Sequence, residues 1–516
     1  MDIVETLLNI AKQEGVVDCC LDDLKAGDGQ GYMGSINFVH LNGKAKCGKE
    51  KQLNFMIKTA TTNGKLREFT ITNTVFEREI RMYKIIFPAL YNFEKGKGIE
   101  NPFSSVPRCY YASERSVPEI LILEDLIQSG YRSWNRALPI SDKPVRIVVQ
   151  EYARFHAVSF AVQDQNPLLF KELTKNFDNI FDIFMKYTGV FHAAIRKSKL
   201  ALASLDPNSK AFTRYKQFLC GVEDKYSNLI ATCDKYRVIL HGDSWCNNML
   251  FKYNKDCNSR NEPVAVRFID FQFSRLGSPV CDLAYFLYGC TSKEVLDNMN
   301  VYKNLYYDTL CRHIELLGSK PDNVYPLPAF EEHWRTYSKF GLIASGLLVF
   351  LLLSEKHEII DFTDIAEAGR EVGTAFDYEI ANINEFNNRM KHIIEYFVDN
   401  NLIYHVWLQS KGGVQYFKSA YRAEIEVATN AGTAFKNEAP AVTVEPSESL
   451  DCGSCGKDVH AVCEISNEAD EVYGGKPIKF PVLHAPDSLS AEYIKEPAKL
   501  DYNALVAGDA VVSGKL

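Results

Sequence analysis

Val238–Phe271 reads VILHGDSWCNNMLFKYNKDCNSRNEPVAVRFIDF. Two short apolar strands flank its first polar cluster, and a third apolar run ends at Asp270. The cluster holds a carboxylate, Asp243, and an amide, Asn248, five residues later. A transferring phosphoryl group spreads negative charge over its oxygens, so a site built for it needs divalent metal, and hard metal needs oxygen ligands. Asn248 and Asp270 supply such oxygens at two strand ends. Asp243, on a tight polar loop, is the candidate to face an acceptor hydroxyl and take its proton.

This spacing is that of the catalytic loop in protein kinases, where an Asp accepts the substrate proton and an Asn, with a later Asp, holds metal. Either motif alone would read equally well as an ordinary turn or strand end. Both together, in order and separated by strands, predict a two-lobed α+β protein-kinase-like fold.

Working outward to the N-terminal side, Gly29, Gly31 and Gly34 fit G-x-G-x-x-G. Glycine lets backbone amides approach phosphate oxygens. A strand pattern follows, not a helix, which disfavours a dinucleotide fold and suits a hairpin laid over the phosphates of ATP. In Leu53–Ala60, alternation sets Leu53, Phe55 and Ile57 on one face and Met56 and Lys58 on the other. Lys58 is the candidate for the nucleotide's α and β phosphates, with Met56 toward adenine. A helix over Asn73–Phe87 offers two acidic partners for Lys58. Glu79 has Val75, Phe76, Met82 and Tyr83 at i±3 and i±4 and so faces inward; Glu77 sits in a polar setting and reads as a surface pair with Arg81. Val106–Ala112 and Glu119–Leu123 complete a sheet of about five strands, and Glu124-Asp125-Leu126 falls where a hinge backbone would meet the adenine edge.

Toward the C-terminus the composition is helical: Pro144–Phe160, Asn176–Leu205, Ala211–Tyr236, Thr291–Leu317, Ala329–Leu353 and about Ala375–Val398. His156 is read as a satisfied core histidine over a catalytic one. Asp282 either caps the helix starting at Val280 or braces the Asp243 loop. Arg275 is open to two roles, a phosphate contact or a surface charge, and Trp245 to two more, an acceptor wall or packing. The polar insert 254–263 reads as a solvent loop.

Net charge of −8 and a pI near 5.9 argue against a nucleic-acid surface. Met1–Glu14 lacks a basic start and carries early acids, so it reads as an amphipathic helix and not a secretory leader. Phe340–Ser354 is short for a membrane span and reads as a core helix. The fourteen cysteines are scattered, which fits reduced thiols in a cytoplasmic protein. Beyond about Leu408 the chain becomes Ala/Glu/Gly/Lys/Pro/Ser/Val-rich and aperiodic, the mark of a poorly ordered tail. Cys452, Cys455, His460 and Cys463 lie there in zinc-knuckle order, but the gap from His460 to Cys463 is too short for easy tetrahedral closure.

HGDSWCNNMLFKY (241–253), RFIDFQFSRLGSPVCDLAYFL (267–287), ILILEDL (120–126) and FEREIRMY (76–83) resemble the ecdysteroid kinase-like family, also called choline-kinase-like or CHK kinase-like, over about residues 1–405. The resemblance implies a β-rich N-lobe (1–126), a helical C-lobe (127–407) and a tail (408–516) outside the pattern. It implies a kinase using ATP and Mg²⁺ on a small-molecule alcohol acceptor such as an ecdysteroid or a foreign hydroxylated compound. Glycines 29, 31 and 34, Lys58, Glu79, Asp243, Asn248 and Asp270 fall on the family's positions. The rival readings are a choline- or ethanolamine-type kinase, a pseudokinase binding module, and a protein that acts through its tail.

Overall fold

The computed structural model describes residues 3–21, 25–31, 34–114, 118–222, 235–253, 262–359 and 361–403. Most of the 254–263 insert, the 408–516 segment and its Cys/His cluster lie outside the described residues.

An antiparallel sheet forms the N-terminal lobe, with six strands: β1 (Val16–Leu21), β2 (Lys25–Gly31), β3 (Gly34–Ala45), β4 (Glu50–Ala60), β5 (Cys109–Ser113) and β6 (Ile120–Glu124). The order is β1-β3-β4-β6-β5, with β2 pairing β3. The alternation read in Leu53–Ala60 holds: Leu53, Phe55 and Ile57 are buried on one face under Leu7, Ile10 and Ala11 of the Ile3–Gln13 helix. Lys58 stands on the other face, opposite Ile36 of β3 and Leu121 of β6. Gly34 opens β3 opposite Ala60, where a Cβ would lie 2.2 Å from the carbonyl oxygen of Thr59. Glycine is required there by strand approach, whatever it does for phosphate.

The expected helix over 73–87 is longer and interrupted. It runs Thr72–Arg81, widens to a π-turn over Met82–Ile86, and continues as Phe87–Gly96. Pro88 has no N–H for an i−4 bond, and the chain accommodates this by letting Phe87 N donate to Met82 O, five residues back.

The second lobe is helical and built around Asp142–Gln165 and Leu327–Leu353. The latter is long and apolar enough to cross a membrane by length and composition, but 83% of its most apolar window is buried inside the fold, as a core helix requires. The single helix expected over 176–205 is two, Ile180–Tyr187 and Val190–Leu200, parted by Gly189 at φ +71°. The break is tertiary in origin: Gly373 packs on the Gly189 backbone, and a Cβ on Gly189 would lie 2.5 Å from Glu371 Oε2. Two small antiparallel sheets carry the central stretch: β7 (Tyr131–Ser133), β9 (Met249–Tyr253) and β10 (Pro263–Phe268) form one, β8 (Val238–Ile239) and β11 (Leu276–Gly277) the other.

Candidate active site

β8 ends at Ile239, the chain turns through Leu240–Trp245, and a 3₁₀ turn over Cys246–Asn248 feeds β9. Gly242 sits at φ +90° with Phe273 O only 2.0 Å from where a Cβ would be, so the turn admits glycine alone. Asp282, in the first turn of the Val280–Cys290 helix, accepts the His241 amide at 2.7 Å and the Gly242 amide at 3.0 Å. Of the two roles open to it in the sequence, bracing is the one it performs. His241 Nε2 donates to Ile269 O at 3.0 Å and its Nδ1 accepts the Asp243 amide at 3.3 Å, which fixes the neutral tautomer and ties the loop to the end of β10. Burial also pulls the His241 pKa down. Arg275 is neither a surface charge nor free for phosphate: it is 2% exposed, donates to Gly242 O at 2.9 Å, and lies against the ring of Phe181.

On this loop Asn248 Nδ2 donates to Asp243 Oδ2 at 2.9 Å and to the Asp243 carbonyl at 3.0 Å, while the Tyr285 hydroxyl donates to Asp243 Oδ1 at 3.0 Å. Across the cleft Lys58 Nζ meets Glu79 Oε2 at 2.7 Å and Asp270 Oδ1 at 2.8 Å. Glu79 is buried and Glu77 exposed, as their neighbours indicate, but Arg81 does not pair with Glu77: it donates to the carbonyls of Glu172 and Leu173. Asp270 adopts φ +65°, a left-handed conformation uncommon outside glycine, two residues past the end of β10. Arg78, beside Glu79, is buried and donates to the carbonyls of Ser274, Asn176 and Asp178, so the helix that carries Glu79 is pinned to the helical lobe.

Two carboxylates, Glu79 and Asp270, thus pair with one ammonium, and a third, Asp243, lines the same cavity. Burial and then the Asp270 charge push Asp243 up to about 7, against the hydrogen bonds from Tyr285 and Asn248. Burial also raises Glu79, opposed by Lys58; the two carboxylates hold Lys58 protonated against its own burial. Asp282 goes the other way: despite burial, bonds from His156 and the Gly242 amide and the nearby imidazoles hold it at about 2. The excess of negative charge at Asp243 and Asp270 suits an added cation. Among the described residues no three His, Cys, Asp or Glu side chains gather to hold one. Asn248 and Asp270 offer a partial oxygen set, the kind Mg²⁺ completes with water and phosphate.

Lys58, Asp243, Asn248 and Asp270, with Gly34, line a single cavity of about 530 Å³. Its remaining walls are largely apolar, from Phe181, Phe184 and Met185 on one helix, Phe340 and Leu347 on another, and Phe362 and Phe376 on a third segment. Trp245 is one of these walls. Glu124 and Leu126 are not. The Glu124 carboxylate accepts Ser129 Oγ and the Arg108 amide, and Leu126 packs with Tyr131 and Leu250. Gly29 and Gly31 lie in β2, with Gly31 opposite Gly34 in the hairpin. His156 is fully buried and satisfied by Tyr306 and Asp282. Sequence reasoning passed over Tyr285, His241 and Arg78, although each sits within a quoted motif.

A β-sheet lobe, a helical lobe and a cleft joining a lysine–carboxylate cluster to an apolar chamber define a small-molecule kinase of the protein-kinase-like fold. The model of the ecdysteroid kinase-like family matches residues 28–319, more than half of the chain, and the chain belongs to that family. No curated protein matches it. It is similar to the solved GDP and kanamycin complex of APH(2")-IIia (TM-score 0.35, 11% identity, 76% of this chain and 99% of that one). It is also similar to glucosamine kinase in crystal form B (TM-score 0.27, 11% identity, 77% and 82%). A third similar structure is glucosamine kinase with glucosamine, ADP and inorganic phosphate (TM-score 0.23, 12% identity, 78% and 98%).

Proposed function

We propose that this kinase transfers the γ-phosphoryl group of ATP to a hydroxyl of an apolar, polyhydroxylated small molecule: an ecdysteroid, a related sterol or a foreign alcohol. Lys58, held by Glu79, orients the nucleotide phosphates. Gly29, Gly31 and Gly34 cover them. Asn248 and Asp270 hold Mg²⁺, whose charge would offset that developing on the transferred group. Asp243 orients the acceptor hydroxyl and takes its proton. ATP as donor points to the cytoplasm as the compartment of action.

The observation that carries this reading is the continuity of one cavity from the charged cluster into apolar walls. A volume of about 530 Å³ lies in the range of sites for drug-sized ligands. A choline or ethanolamine kinase would want a cage both acidic and aromatic around the acceptor's cation, and of the two the walls supply the aromatic rings. The carboxylates on these walls are Asp243 and Asp270, each already hydrogen-bonded. A pseudokinase reading is opposed by the presence of Lys58, Asp243, Asn248 and Asp270 in that one cavity. A screen with labelled ATP, hydroxylated sterols against choline and ethanolamine, tests the assignment. Label is expected on a sterol; label on the amino alcohols alone would overturn it.

A further inference from the structure

The Val280–Cys290 helix is buried along its whole length, and one of its side chains reaches both ends of the cleft. Tyr285 lines the cavity, its ring stacked on Phe340 (centroids 5.6 Å apart, planes at 21°) and edge-on to Phe181 at 6.3 Å. Its hydroxyl, at the tip of that ring, donates to Asp243 Oδ1.

A carboxylate has two soft torsions, and one hydrogen bond does not fix its plane. Asp243 has two anchors: Asn248 holds Oδ2 and Tyr285 holds Oδ1. Asn248 belongs to the same loop, five residues away, and moves with it. Tyr285 belongs to a different element, and its ring is locked between apolar walls supplied by two further helices. Together they leave Asp243 without freedom to turn. A pocket filled by an apolar acceptor would press on the same rings.

We propose that Tyr285 is the positioning residue of the acceptor site, holding Asp243 Oδ1 in its orientation toward the cavity through its hydroxyl while its ring forms the wall against which the acceptor packs. This rests on Asp243 being the group that meets the acceptor. The Tyr285 hydroxyl need not lose its proton or touch the transferred phosphoryl group. Its effect passes through Asp243, so it belongs to the turnover step more than to binding. The ring's effect is the reverse: contact area for the acceptor, with no part in turnover.

The test separates the two halves of the side chain. Tyr285→Phe keeps the ring and removes the hydroxyl. Turnover with the best acceptor from the screen is expected to fall about 10- to 100-fold, the effect of losing a hydrogen bond to a charged group. Acceptor KM and ATP affinity are expected to stay within about twofold. Tyr285→Leu is expected to raise acceptor KM as well. Crystal structures of the wild type and of Tyr285→Phe give a readout independent of any acceptor: the Asp243 carboxylate is expected to turn in the variant. An unmoved carboxylate, or unchanged turnover in Tyr285→Phe, overturns the role of Tyr285. A wild type that phosphorylates no alcohol, with the carboxylate nonetheless turned in the variant, overturns the acceptor reading and leaves the positioning contact standing.

Discussion

The two ends of the cleft are built on opposite principles. At the end we assign to the nucleotide, polar atoms are within hydrogen-bond reach of one another: Lys58 bridges Glu79 and Asp270, Asn248 holds Asp243, and Asp282 and His241 clamp the loop's backbone. At the end we assign to the acceptor the walls are mostly rings and aliphatic chains from helices far apart in sequence. The first end demands residue identity, because a displaced charge or an unpaired amide is expensive in a buried site. The second demands shape, which many apolar residues can supply. One end is therefore suited to a fixed donor chemistry, the other to variation in the acceptor.

If this division holds, damage at the nucleotide end should remove chemistry and damage at the acceptor end should shift preference. The largest effect is expected from Asp243→Asn, which keeps the loop's shape and removes the base. Turnover should fall about 10²- to 10⁴-fold while ATP affinity, read by titration calorimetry, is nearly unchanged. Loss of ATP binding in that variant would show that Asp243 serves the fold or the nucleotide.

The loop's clamp should appear as a pH effect on stability. Asp282 is held at about 2, below its ordinary 3.8, so its contribution is fully present above about pH 4 and is lost as pH falls toward 2. That contribution is roughly 2 kcal/mol. Urea unfolding of wild type and Asp282→Asn across this range should show the variant less stable at neutral pH and with a flatter acid limb. Parallel acid limbs would remove the clamp.

The smallest effect is expected at the other end. Phe340→Ala trims a wall that Tyr285 stacks on. Acceptor KM should rise about tenfold for a rigid sterol, as loss of apolar contact implies, and less for a smaller alcohol, with ATP KM unaltered. Equal shifts in both KM values would mean that the two ends are not separate.

The same division explains what could be read in the sequence. Asp243, Asn248 and Asp270 were legible because each sits at a fixed offset from a strand end, and Glu79 was separable from Glu77 because helix periodicity gave them different neighbours. The Leu53–Ala60 alternation declared which way Lys58 points. The acceptor end gave no such signal. Phe181, Phe340 and Phe376 belong to three segments spread over nearly two hundred residues, and an aromatic in a buried helix looks the same whether it faces a cavity or a neighbour. Tyr285 was missed for a related reason: every residue of Val280–Cys290 is buried, so amphipathicity marks no face. Arg275 was misread because a loop has no period, and its burial against Phe181 depends on contacts made from another lobe helix. The break at Gly189 is dictated by Glu371 and Gly373, distant in the chain.

The most direct test of the central claim is the mass of the acceptor after incubation with ATP, Mg²⁺ and the purified chain. The account expects one phosphoryl group added to a hydroxylated sterol by the wild type, none when the metal is chelated, and almost none with Asp243→Asn. Phosphate appearing on choline but on no apolar alcohol, or transfer by Asp243→Asn at the wild-type rate, would contradict it.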